Sequence, residues 1–132
     1  MPAYIGAEIP LGNYLGFVCK LYEDGRSLVE YQPRPEHLNT FGFTHGGALM
    51  ALLDITMAMA ARSVQQDAGA VTIEMKTTFM RPSPGNDGIL VCKGKILHRS
   101  ATLAFVEGKV FDRHLQLCAH STGTFKYMVR SK

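Results

Sequence analysis

The sequence predicts an α+β fold in which a curved antiparallel sheet wraps around one long central helix. First, residues 46–66 contain no proline and are dominated by Ala, Leu and Met, which is typical of a helix. Second, strand-like segments precede and follow this helix, in the order β-β-α-β-β-β-β. Third, the helix is apolar on nearly all sides, so either the sheet encloses it or a partner covers its outer face.

The chain opens with a predicted β-hairpin. Residues 13–22 are rich in aromatic and aliphatic side chains, Asp24 and Gly25 form a turn, and residues 26–31 resume the strand pattern. A loop is indicated next by turn-forming residues. These are Pro33, Pro35, Asn39 and Gly42.

We expect Gly69 to end the helix. Four strands are predicted after it. Alternating apolar side chains and many β-branched residues favour the strands. Pro82, Pro84 and Gly85 separate the first two strands, and residues 98–100 form a short connection between the second and third. The predicted strands span residues 71–80, 88–97, 101–111 and 115–128.

Length and composition indicate one globular domain over residues 1–132. Hydrophobic residues make up 46% and charged residues 19% of the chain, which is not the composition of a disordered protein. The net charge of +3 suits an anionic ligand, but no Lys/Arg run or motif indicates binding to nucleic acid.

Nothing in the sequence indicates a membrane or a metal. The start has no basic and apolar signal-peptide pattern, and the longest apolar stretch, residues 46–61, is too short to span a bilayer. The cysteines, Cys19, Cys92 and Cys118, form no CxxC pair, and no HxH or HExxH motif is present. We therefore expect a cytoplasmic protein without a metal or a separate cofactor.

Paired glycines mark the predicted start of the helix. Unpaired N–H groups at a helix start attract negative charge, and Gly46 and Gly47 let a ligand approach that backbone closely. Such a site can hold a phosphate or a carbonyl oxygen that becomes negative during a reaction. Alternatively, the two glycines only fit a tight turn from loop to helix.

A single carboxylate interrupts the apolar helix. Asp54 is either a general base or a structural acid held by backbone N–H groups or an arginine. It lies eight residues after Gly46, which is roughly 12 Å along a helix. Two groups so far apart cannot act on one atom within one chain. The functional interpretation therefore predicts a two-fold dimer with sites shared between chains.

At these residues the sequence resembles a known family. Asn39, Gly42, the run His45-Gly46-Gly47 and Asp54 match the spacing N-x-x-G-x-x-H-G-G-x(6)-D of hotdog-fold acyl-CoA thioesterases, of the phenylacetic-acid-degradation type. The segment VTIEMKTTFMRP, residues 71–82, also resembles the strand after the helix in that branch. The resemblance implies a hotdog fold and hydrolysis of a small aromatic or medium-chain acyl-CoA.

The resemblance also implies a role for each matching residue. Gly46 would offer its N–H to the thioester oxygen, and Asn39 would help to hold or polarise the same carbonyl. Asp54 of the opposite subunit would activate or orient water, or attack directly. Thr72 falls at a position where this branch often has a Ser or Thr that positions this water. His45 would shape the loop more than it would catalyse.

Substrate-binding residues follow from the same resemblance. Coenzyme A is polyanionic, so Arg81 and Arg99 are candidates for its phosphates. Gly47 would lie against the substrate, and Met50 and Met57 would line an apolar acyl pocket between subunits. No cofactor is implied apart from the coenzyme A of the substrate, and the implied assembly is a homodimer or a dimer of dimers.

Two other functions remain open at this point. The same fold could bind or sense acyl-CoA without cleaving it, because a fold does not settle a function. The chain could also be a structural oligomer in which Asp54 is a satisfied core acid.

Overall fold

The computed structural model describes residues 9–129, in which two α-helices accompany six strands. Helix α1 spans Pro10–Leu15 and helix α2 spans Gly46–Arg62. A short 3-10 turn covers Pro35–His37. The strands are β1 (Val18–Glu23), β2 (Arg26–Tyr31), β3 (Ala68–Phe79), β4 (Leu90–Arg99), β5 (Leu103–Phe111) and β6 (Leu117–Val129).

The six strands form one antiparallel sheet in the order β1-β2-β4-β5-β6-β3. Helix α2 packs against one face of this sheet and contacts every strand. The prediction of a curved antiparallel sheet around one long central helix is confirmed. Strands β1 and β3 are the two edges of the sheet, so each has one side without a neighbour in the chain.

Glycines on the inner face of the sheet allow α2 to lie close to it. Gly94 of β4 and Gly108 of β5 are directly opposite each other in the register. A Cβ atom on Gly94 would lie 2.9 Å from the carbonyl oxygen of Thr56, and one on Gly108 would lie 2.8 Å from the Met57 side chain. The helix therefore sits at a distance that these two side-chain-free positions set.

The two ends of α2 are held by side chains. His45 is the N-cap residue, and its Nδ1 accepts a hydrogen bond from the Gly47 N–H at 3.0 Å. At the other end, Ser63 Oγ donates to the Ala60 carbonyl and Tyr127 Oη donates to the Ala61 carbonyl, at 2.8 and 2.7 Å. These bonds satisfy groups that a helix end leaves unpaired.

One side of α2 is not enclosed by the sheet. Ala48, Ala51, Asp54 and Ala58 recur at intervals of three and four residues, and all four are only half-buried. They form a stripe along the helix surface that the sheet leaves partly uncovered. Residues of α1 lie beside this stripe and line cavities together with it.

The N-terminal segment differs from the prediction. The expected strand over residues 13–22 is wrong in its first part, because residues 13–15 belong to α1 and β1 begins at Val18. Pro10 occupies the first turn of α1, and Gly16 ends the helix with φ of 82°. Proline at the start and glycine just past the end are typical helix boundaries.

Two other predicted boundaries are also wrong. Helix α2 ends at Arg62, and Gly69 lies inside β3 instead of ending the helix. Strand β4 continues through His98 and Arg99, because a bulge after Ile96 lets these residues pair with β5. The connection between β4 and β5 is therefore residues 100–102. Within residues 9–129, no helix combines the length and the apolar character needed to cross a bilayer.

We predict that Gly94→Ala destabilises the protein by about 1–3 kcal/mol, the usual cost of overpacking a core. The new Cβ would lie 2.5 Å from Ser27 Oγ as well as against the Thr56 carbonyl, so the helix backbone must shift. Urea denaturation measures the free energy of unfolding. Gly69→Ala is the matched control, since the nearest atom to its Cβ is 3.7 Å away. Equal stability of the two variants would contradict this packing account.

Candidate active site

The lone carboxylate of the central helix is paired with a threonine from the edge strand. Thr72 Oγ1 donates to Asp54 Oδ1 at 2.5 Å. Asp54 lies halfway along α2, and Thr72 lies on the inner face of β3, opposite Phe125. The β3 register shifts immediately after Thr72, and bulges of this kind commonly re-aim side chains beside active sites.

The Asp54–Thr72 pair lines a cavity of about 310 Å³. Apolar side chains dominate the rest of its wall, and both α1 and α2 contribute to it. Within residues 9–129, no donor contacts the second carboxylate oxygen, Oδ2. The threonine therefore fixes one oxygen of the carboxylate and leaves the other able to accept a further hydrogen bond. The remaining lining residues are Ile9, Pro10, Ile55, Ala58, Met59, Arg62, Gly69 and Ala70.

The start of α2 presents an unpaired backbone donor. His45 takes the Gly47 N–H, but the Gly46 N–H has no acceptor within the described chain. A Cβ on Gly46 would lie 3.4 Å from the ring of Phe79, which is at the limit of ordinary contact. The fold itself thus does not strictly require glycine there. A small residue at this point keeps the amide open to a ligand.

Asn39 lies in the loop before α2, where its side-chain oxygen holds the loop and its side-chain NH2 group remains able to donate. Its Oδ1 accepts the N–H groups of Phe41 and Phe43 at 2.9 and 3.1 Å, which shapes the loop. Because both bonds use the oxygen, the Nδ2 amide is left to donate elsewhere. Asn39 and Gly46 line one cavity of about 280 Å³.

Arg81 lines the same cavity, and its side chain is exposed. Sequence reasoning did not assign Phe43 and Met80 to this site, although both help to form its wall. Neither residue has a local signal that would identify it, because loop and strand-end side chains converge here only after folding. The structure therefore places three of the predicted site residues, Asn39, Gly46 and Arg81, together.

The loop that leads to Gly46 is anchored to β2. Tyr31 Oη is 2.6 Å from His37 Nδ1, and the His37 carbonyl accepts the His45 N–H at 2.8 Å. Burial raises the pKa of Tyr31 to about 12, so its hydroxyl keeps its proton. Burial, followed by the nearby charge of Arg34, lowers the pKa of His37 below its usual value. A neutral pair thus connects the sheet to the start of the helix.

The other predicted binding residues lie apart from these two cavities. Met57 is fully buried beneath β5 and β6, and Met50 is half-buried and lines neither cavity. Arg99 is exposed, and its Nη1 donates to Gln65 Oε1 at 3.2 Å. Gly47 faces a third cavity, of about 440 Å³, together with His45.

The Asp54 and Gly46 cavities share no lining residue. Asp54 and Gly46 belong to one helix, α2, and eight residues separate them by roughly 12 Å. One chain therefore does not bring the carboxylate and the open amide to the same atom. Among the described residues, no group of three His, Cys, Asp or Glu side chains is placed to hold a metal ion.

Two sequence relatives show what proteins this chain is similar to. A candidate esterase of Saccharolobus solfataricus is 34% identical over 110 residues, which cover 83% of this chain and 76% of that protein. Human acyl-coenzyme A thioesterase 13 is 31% identical over 81 residues, which cover 61% of this chain and 57% of that protein.

Two solved structures share the fold and are 30% and 25% identical in sequence to this chain. A conserved protein of Pseudomonas aeruginosa is 30% identical with a TM-score of 0.88, and the match covers 96% of this chain and all of that one (100%). A Streptococcus mutans protein solved with acetyl-CoA is 25% identical with a TM-score of 0.78, covering 88% of this chain and 91% of that one.

A family model settles the relationship. The model of the thioesterase superfamily matches residues 41–119, which include the start of α2, Asp54 and Thr72. The hotdog fold expected from the resemblance is confirmed by this match together with the solved structures. By these findings the chain belongs to the thioesterase superfamily.

Proposed function

We propose that this protein hydrolyses acyl-CoA thioesters whose acyl group is small and aromatic or of medium chain length. The observation that carries the proposal is the Asp54–Thr72 hydrogen bond at a cavity with both polar and apolar walls, since it orients a carboxylate where water and an acyl group can meet. Family membership supports a thioester as the substrate. The human relative's name and the acetyl-CoA in the Streptococcus mutans structure support coenzyme A as the thiol.

The thioester carbonyl would lie at the start of α2. The unpaired Gly46 N–H donates to its oxygen, and Asn39 Nδ2 supplies a second donor. Negative charge grows on that oxygen when the carbonyl carbon is attacked, and donors fixed in place before the reaction stabilise it. The positive end of the helix dipole adds to the effect. Arg81 lies at the same cavity, where a coenzyme A phosphate can pair with it.

Asp54 would either activate the water that attacks the thioester carbonyl carbon or attack that carbon itself. Thr72 holds Oδ1, so Oδ2 accepts a proton from water while the water oxygen bonds to the carbonyl carbon. The C–S bond then breaks, and the departing sulfur takes the proton to give the free acid and coenzyme A. Direct attack by Oδ2 would instead form an acyl-aspartate that water hydrolyses. Both routes need the carboxylate close to the carbonyl carbon.

The two halves of this site would come from two chains. The half-buried stripe of Ala48, Ala51, Asp54 and Ala58 offers a helix surface for a partner. Strand β3 is an edge with exposed Val71 and Ile73, and an unpaired edge readily accepts another strand. A two-fold homodimer through these surfaces places the Asp54 of one chain near the Gly46 of the other, and forms two equivalent sites.

We predict that Asp54→Asn lowers turnover by at least about two orders of magnitude, the scale on which a positioned acid–base group acts. Release of free thiol from a panel of acyl-CoAs measures the rate. Asp67→Asn is the matched control, because Asp67 is exposed outside both cavities and its loss should leave the rate unchanged. Full activity of Asp54→Asn would refute its role. Acyl-CoA binding without turnover in the wild type would favour a binding or sensing module.

We predict that Thr72→Val lowers kcat by about tenfold or more, whereas Thr72→Ser retains most of the activity. Valine keeps the shape of threonine but loses the hydroxyl that donates to Asp54, and a hydrogen bond to a charged group is worth about 1.5–3 kcal/mol. Steady-state kinetics of both variants measure the effect. Equal rates for the valine and serine variants would show that the hydroxyl does not matter.

We predict that two inactive variants restore activity when they are unfolded and refolded together. Asn39→Asp keeps oxygens that accept from Phe41 and Phe43 but removes the Nδ2 donor, and Asp54→Asn removes the carboxylate. If sites are shared, each mixed dimer contains one intact site and one site that lacks both groups. Random pairing makes about half of the dimers mixed, so an equal mixture recovers about a quarter of wild-type activity. Each variant refolded alone is the control. No recovery in mixed dimers would place both groups in one chain's site.

A further inference from the structure

The outer face of the sheet, opposite α2, brings like charges together. The register places Arg26 of β2 directly opposite Lys95 of β4, and Lys93 of β4 directly opposite Lys109 of β5. Like charges directly across a strand pair destabilise a sheet. Four cations on three adjacent strands therefore oppose folding, unless something else compensates for them.

The acids on this face do not balance the four cations. Glu107 is bonded to His120 at 2.9 Å, and that bond is the main reason why the pKa of Glu107 lies below its usual value. Lys109 and Lys95 lower it further. Glu107 also lies directly opposite Lys95, and Glu23 lies directly opposite Arg26. Glu30, on the same side of β2 as Arg26, is 3.9 Å from Lys20. Lys93 and Lys109 are thus the two cations of the group with no acid directly across a strand pair.

An apolar floor lies between these charges. Leu21, Leu28 and Phe111 are half-buried and line a groove of about 350 Å³ together with the four cations and the His120-bonded Glu107. The Lys93 Nζ lies 5.5 Å from the centre of the Phe111 ring. Ligand pockets commonly have volumes of about 300–1,000 Å³, so this groove suits a small molecule.

We propose that this groove binds an amphipathic carboxylate, a medium-chain aliphatic acid whose tail covers Leu21 and Leu28 and whose head pairs with Lys93 and Lys109. The tail removes the apolar floor from water, and the carboxylate neutralises the opposed ammonium groups. The site lies on the opposite face of the sheet from Asp54 and Gly46. It is therefore independent of the proposed thioesterase site.

Charge distinguishes this occupant from a second copy of the chain. A two-fold axis through the centre of the groove would place its four cations against the same four cations of the partner. Like-charge contacts across an interface are costly. An anion with an apolar tail neutralises the cations and also covers the apolar floor. A second copy of the chain would cover only the floor.

The test is titration of the whole protein with octanoate, followed by NMR of the backbone amides and by calorimetry. We expect octanoate to shift the amides of Leu28, Lys93 and Lys109, with neither octylammonium nor inorganic phosphate doing so. The double variant Lys93→Gln/Lys109→Gln should bind octanoate at least about tenfold more weakly, since its charge-assisted bonds are lost. Lys76→Gln/Lys126→Gln, with the same charge change outside the groove, should bind like the wild type.

Several results would overturn the proposal. One is an octanoate response confined to amides near Gly46 and Asp54; another is equal affinity in the Lys93→Gln/Lys109→Gln variant. Sedimentation showing that this variant alone loses a subunit contact would assign the groove to a second copy. Thermal unfolding gives an independent check, because removing an opposed like-charge pair should leave the variant at least as stable as the wild type. A lower unfolding temperature would show that the lysines are structural.

Discussion

The length of α2 between Gly46 and Asp54 sets the geometry on which the rest of the site depends. A helix holds residues eight positions apart at a fixed separation of roughly 12 Å, because its backbone hydrogen bonds do not stretch. The open amide at its start and the carboxylate in its middle consequently face separate cavities. Chemistry at a single carbonyl can use both groups only if a second copy of the helix lies alongside the first.

The sheet serves this geometry in two ways. Gly94 and Gly108 let α2 lie close to the sheet, so the position of the helix is set by backbone and core contacts and not by flexible side chains. The edge strand β3 then supplies Thr72, which holds one oxygen of Asp54. Because β3 is one of the two edge strands, the side chain that orients the carboxylate lies beside an open edge of the sheet.

The features that sequence could predict are those encoded locally. The apolar helix, the glycines at its start and the single acid were all visible, and the family signature connected them to Asn39 and Thr72. Helix α1 was missed because the aromatic and aliphatic content of residues 13–22 also suits a strand, although Pro10 and Gly16 marked its ends. The methionines of α2 illustrate another limit. In a helix that is apolar all round, periodicity does not distinguish Met57, which faces the core, from Met59, which lines the Asp54 cavity.

A crystal structure with a non-hydrolysable acyl-CoA analogue tests the shared site most directly. We expect the analogue to bind between two chains, with its carbonyl oxygen within about 3 Å of the Gly46 nitrogen of one chain, the distance of an N–H···O bond. The Asp54 carboxylate of the other chain should then face the carbonyl carbon from the opposite side. An analogue bound within a single chain, or one held away from both Asp54 carboxylates, would contradict the shared site.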